Sequence, residues 1–174
     1  MSEDLYQQAL LELARAAHGA GTLPSSEGEA LRDSPLCGDR VRMQVALEGG
    51  RIRAIAHDVK GCLLCRAAAS LVGLHGAGLD AAGAGALRDR VAATLAGSEP
   101  PPGWPELKLF EPVRPHRNRH GCVLLPFETL EGLRGRFHRD KTSAQVLELT
   151  RNQLTAGQKI GLQRKAAESD RLAP

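Results

Sequence analysis

Residues 40–60 read RVRMQVALE-GG-RIRAIAHDVK, and this stretch decides the fold. Val41, Met43, Val45 and Leu47 alternate with Arg40, Arg42, Gln44 and Ala46, the two-residue period of a half-buried strand. Gly49-Gly50 supplies a two-residue hairpin turn, and Arg51 to Val59 returns as a second strand rich in Ile and Ala. Cys37 stands just before the first strand and Cys62 just after the second. The two ends of a hairpin lie side by side, so these cysteines are expected as neighbours at one end of a sheet. Asp39, two residues after Cys37 in an extended stretch, is expected on the same face.

Outward from the hairpin the period becomes helical. Over residues 3–18, Leu5, Tyr6, Ala9, Leu10, Leu13, Ala14 and Ala17 form one apolar face, which Gly19, Gly21 and Pro24 bring to an end. A polar loop is expected from Ser25 to Ser34. After Gly61, helices are expected over 62–74 and over 80–96, the second weakened by Gly83 and Gly85. Residues 97–105 carry three consecutive prolines and read as a stiff loop, followed by an extended piece over 108–113. Cys122 is expected to open a helix reaching about Leu133, with Pro126 in its first turn. There is no internal repeat.

This order predicts an α+β fold, a small antiparallel sheet with helices covering one face. Residues 1–135 form the domain. Residues 136–174 form a basic C-terminal extension, helical or disordered, with one weak helical pattern at Val146, Leu147, Leu149 and Leu154.

Composition narrows the function. The net charge of +3 is too weak to argue for nucleic acid. From Arg136 onward eight Lys/Arg face four Asp/Glu, so the basic character belongs to the extension. No segment approaches the roughly 18 apolar residues that span a bilayer. The first residues lack the basic stretch and apolar run of a signal peptide. A cytoplasmic location is expected, where clustered cysteines more often mean metal or redox chemistry than structural disulfides.

Three thiolates and a carboxylate make a tetrahedral set for zinc or iron, and Cys37, Cys62 and Cys122 each adjoin a glycine. A cysteine at a helix start gains thiolate character from the dipole, an argument that applies to Cys122 and to Cys62. Cys65 stands three residues after Cys62, at a ligand or redox spacing, and reads equally as a small packing residue. His57 reads as a surface or half-buried strand residue. Arg114, His116, Arg117, Arg119 and His120 form a basic run that flanks Cys122 and is suited to an acidic partner.

Cys-Gly-Asp before a strand, Gly-Cys after its hairpin partner and a third cysteine opening a late helix resemble the IscU/NifU-like iron–sulfur cluster assembly proteins. The similarity covers roughly residues 4–134. Pro35-Leu36-Cys37-Gly38-Asp39-Arg40, the segment from Cys122 to Leu130, and Asp4-Leu5-Tyr6 look most like the SufU branch. The resemblance implies a site of Cys37, Asp39, Cys62 and Cys122 holding zinc or a [2Fe–2S] cluster. It implies that Cys37 accepts persulfide sulfur from a cysteine desulfurase, with Arg119 matching an arginine near the last cysteine of SufU relatives. Cys65 stands where relatives usually carry Ser. The implied function is a cluster scaffold or a zinc-bound sulfur acceptor, serving acceptor apo-proteins or a cluster-assembly complex. Enzymatic action as a zinc-dependent sulfurtransferase stays open. The alternative is a structural zinc module with four cysteine ligands, Cys65 replacing Asp39.

Overall fold

The computed structural model describes residues 3–137; the helical pattern at Val146–Leu154 and most of the 136–174 extension lie outside the described residues. In chain order the elements are α1 (Glu3–Ala16), β1 (Gly28–Asp33), β2 (Arg40–Glu48), β3 (Arg51–Lys60), α2 (Leu63–His75), α3 (Ala81–Leu95), a 3-10 helix (Pro105–Val113) and α4 (Arg117–Glu131). The three strands form one antiparallel sheet in the order β1-β2-β3.

The expected hairpin is present. Arg40 pairs with Lys60 at one end and Glu48 with Arg51 at the other, and Gly49 and Gly50 both take positive φ in the turn. Val41, Met43 and Val45 are fully buried. A register shift between Ala46 and Leu47 then turns both of these inward, so the alternation expected to place Ala46 on the polar side breaks there.

Helices α2 and α4 lie against the sheet, α1 packs on α2, and α3 packs on α4. Their shared interior is built from Leu71, Val72, Phe110, Phe127 and Leu130, with Leu133 and Phe137 buried beyond α4. The opposite sheet face is charged: Glu29 holds Arg42 and Gln44, and Asp33 holds Arg40. These exposed pairs keep that face in water and add little stability.

Three expectations need correction. Part of the polar loop from Ser25 to Ser34 is strand β1, because an edge strand with a solvated face needs few apolar residues; its partners to β2 are charged. The extended piece at 108–113 is instead the 3-10 helix, with Leu107, Phe110 and Val113 buried at its three-residue period. Cys122 does not open a helix. α4 begins at Arg117, so Cys122 falls in its second turn and Pro126 inside it. A proline there cannot donate to the Cys122 carbonyl, a loss offset by burial of Val123, Leu125, Pro126 and Phe127.

One connection is held with unusual tightness. The chain leaving α1 passes Ala17 in a left-handed conformation (φ 44°) and lies along β3, with His57 N–H donating to Gly19 O and Gly21 N–H to His57 O. The His18 peptide is fixed on both sides: its N–H donates to the buried Ser70 hydroxyl at 3.0 Å, and its carbonyl meets His57 Nε2 at 2.7 Å. Gly73 on α2 makes room for it, since a Cβ there would overlap the His18 carbonyl. His57 is therefore buried, not at the surface, and burial holds its pKa below the ordinary value against the opposing pull of the His18 carbonyl and Asp58.

Candidate metal centre

The open end of the hairpin gathers the chemistry. Between β1 and β2 the chain turns through Pro35, Leu36 and Cys37, closed by Ser34 N–H to Asp39 O at 2.7 Å and Gly38 N–H to Ser34 O at 3.0 Å. Gly38 takes φ +72°, a left-handed step between Cys37 and Asp39. Their donor atoms therefore converge across a turn, not along the extended stretch expected from the sequence.

Cys37, Asp39 and Cys122 each offer a ligand atom, and the three atoms lie within 4.8 Å of one another. Cys62 caps α2 in an extended conformation, and its N–H donates to Asp39 Oδ1 at 3.0 Å. Its sulfur is not among the three convergent ligand atoms, although its backbone reaches the carboxylate. Burial first, then the Cys37 and Cys62 thiols, pushes the Cys122 thiol well above its ordinary range. The helix-start argument for a Cys122 thiolate thus fails twice, by position and by environment.

Asp39 decides what the cluster is for. It is 4% exposed, and its Oδ2 is the one buried side-chain oxygen or nitrogen without a hydrogen-bond partner among the described residues. Leaving such an oxygen unpaired is costly, and a cation beside it removes the cost. Two convergent sulfurs and one carboxylate oxygen, with the half-buried Cys62 thiol available as a fourth donor, suit a four-coordinate soft ion, so zinc or iron fits the residues present. Gly61 belongs to the cradle, since a Cβ there would press on the Asp39 carboxylate at 2.9 Å.

A model of the family described as the NifU-like N-terminal domain matches residues 5–108. The chain belongs to that family. Among solved structures, this NifU-like chain is similar to the N-terminal part of a nitrogen-fixing NifU-like protein from Brucella abortus. The two are 29% identical with a TM-score of 0.72, over 79% of this chain and 96% of that one. A hypothetical protein of known structure shares the fold at 24% identity and a TM-score of 0.69, over 77% of this chain and 99% of the other. So does a candidate iron–sulfur cluster assembly scaffold for the SUF system from the thermophile Fervidobacterium islandicum, at 19% identity and a TM-score of 0.68, with the same coverage. No curated protein matches the chain.

Two other residues singled out in the sequence are not among the convergent ligand atoms. Arg119 is exposed on the first turn of α4, and among the described residues it makes no ion pair or side-chain hydrogen bond. Of the basic run, Arg114 is bound elsewhere, to the Thr94 and Ser98 carbonyls and to Glu111, and His120 Nε2 meets the Arg114 carbonyl. Cys65 is fully buried in the core, and burial, then the nearby Asp39 and the other thiols, raises its pKa far above normal. Like Cys62 it lies outside the three convergent ligand atoms, but Asp39 is one of those three, which the four-cysteine alternative leaves out.

Ser34 was missed by the sequence reading. Its hydroxyl lies 3.1 Å from Cys37 Sγ and 3.5 Å from the Cys37 nitrogen, tying the most exposed ligand to its turn. Ser-Pro is a turn-opening pair, and that signal three residues before Cys37 points to it.

Proposed function

We propose that this NifU-like chain is an iron–sulfur cluster assembly protein, acting at Cys37, Asp39, Cys62 and Cys122 as a scaffold or as a zinc-bound acceptor of sulfur from a cysteine desulfurase. The observation that carries this reading is the buried, unpartnered Asp39 Oδ2 facing convergent thiols. The family and the resemblance to the Brucella abortus NifU-like structure support it. No helix among the described residues is long and apolar enough to cross a membrane. Work in the reducing cytoplasm suits the free thiols.

Cys37 is the nucleophile. It is exposed, whereas Cys122 is buried and Cys62 half-buried, so a donor reaches Cys37 first. Its thiolate attacks the terminal sulfur of the donor's persulfide. That S–S bond breaks, the donor cysteine leaves as a thiolate, and Cys37 keeps the sulfane sulfur. A bound metal would hold the thiols deprotonated at neutral pH. Leu36, 88% exposed beside Cys37, and Arg119 on α4 offer the donor an apolar and a cationic contact. Sulfur or an assembled cluster then passes to acceptor apo-proteins, with Asp39 as the hard, exchangeable ligand among soft ones.

Anaerobic purification followed by metal analysis, cluster reconstitution and an assay of desulfurase stimulation tests the reading. Bound zinc or iron with stimulation or a reconstituted cluster is expected. A protein that neither holds a cluster nor stimulates any desulfurase overturns it.

A further inference from the structure

Cys65 is a thiol that the proposed chemistry does not use. It is fully buried, yet it sits on the first turn of α2, three residues from Cys62. Cys-x-x-Cys across the start of a helix is a redox spacing, and a disulfide needs Cα atoms roughly 4.4–6.8 Å apart. The two cysteines differ in access. Cys62 is half-buried and caps the helix, while Cys65 is buried in the core one helical turn on. The Cys62 side chain makes no capping hydrogen bond that would hold it away from Cys65. Once a metal holds Cys37, Cys62 and Cys122, Cys65 is the one cysteine left without a ligand role.

We propose that Cys62 and Cys65 form a redox modification site, a dithiol that a hydroperoxide converts to a disulfide, withdrawing Cys62 from the metal centre. The Cys62 thiolate attacks the peroxide oxygen, the O–O bond breaks, and a sulfenic acid forms with release of hydroxide. The Cys65 thiol then attacks the Cys62 sulfur, its proton leaves with the hydroxyl as water, and an S–S bond closes. Two thiols are oxidised by two electrons and one peroxide is reduced to two waters. Zinc loses one of four ligands and is released. A dithiol reductant reverses the step by exchange.

The test treats the full chain, reconstituted with one equivalent of zinc, with hydrogen peroxide. Zinc release is followed with a chromogenic chelator, and non-reducing peptide mapping locates the cross-link. The expected result is a Cys62–Cys65 bond, lacking two hydrogens, that forms together with zinc release and is reversed by dithiothreitol. In Cys65→Ser the expected product is a Cys62 sulfenic acid trapped by dimedone, with no cross-link at that position. Cross-links confined to Cys37–Cys122 or Cys62–Cys122, or over-oxidised Cys62 beside an intact Cys65 thiol, overturn the proposal. The wild-type map decides this even if Cys65→Ser folds poorly. The metal reading fails separately, by the absence of bound zinc before any oxidant is added.

Discussion

Asp39 Oδ1 accepts the Cys62 N–H at 3.0 Å while Asp39 Oδ2 has no partner. One carboxylate thus caps a helix with one oxygen and leaves the other for a cation. The first role needs only an acceptor, whereas the second needs a negative charge.

Asp39→Asn separates the two roles. The amide keeps an acceptor for Cys62 but removes the buried charge. The metal-free variant is expected to unfold at a higher denaturant concentration than the wild type, by about 1–3 kcal/mol. Its zinc affinity should fall by at least about tenfold. Chelator competition and urea titration read the two effects, and a matched loss of stability and affinity would contradict this account.

Ser34→Ala should affect metal binding more than folding. Its hydroxyl is an outer partner of Cys37 in an exposed turn, so unfolding should shift by no more than about 1 kcal/mol. Metal affinity should drop roughly 10–100-fold, as for other outer-shell losses. Ser34→Thr, which retains the hydroxyl, should recover most of it.

Gly73→Ala tests the packing of α1's exit on α2. The added methyl meets a carbonyl oxygen whose own peptide is fixed by Ser70 and His57, so it cannot move aside cheaply. A loss of about 3 kcal/mol is expected in urea unfolding. A neutral substitution would mean that the His18 segment is held loosely.

His57 predicts an acid sensitivity. Burial keeps the folded ring neutral below the pH at which the unfolded ring, with a pKa near 6.5, takes up a proton. Above about pH 6.5 neither state binds the proton and the term vanishes. As pH falls below that, the unfolded state gains protons first and stability drops until the folded ring also titrates. His57→Gln should therefore lose less stability than the wild type between about pH 7.5 and 5.5.

Much of this was written in local patterns. Alternating apolar residues and Gly49-Gly50 are enough to place β2 and β3, and pairing geometry is enough to bring Asp39, before β2, against Cys62, after β3. β1 escaped because its stability comes from partners such as Arg42 opposite Glu29, not from its own composition. The start of α4 escaped because Pro126 argues against a helix around it, and only burial of its neighbours outweighs that preference. The meeting of Cys122 with Cys37 is a product of α4 packing on the sheet, which no spacing rule encodes. His57 was misplaced because its partner is a backbone carbonyl contributed by a distant loop.

Cys122 also gives the centre a timetable. Two helices and the 3-10 segment separate it from Cys62 along the chain. During synthesis Cys37, Asp39 and Cys62 leave the ribosome with their hairpin well before the last sulfur follows. Until α4 emerges and settles on the sheet, those three donors face open water with no enclosure. A metal captured that early would be held by an incomplete and exchangeable set, so durable loading is an event of the finished domain.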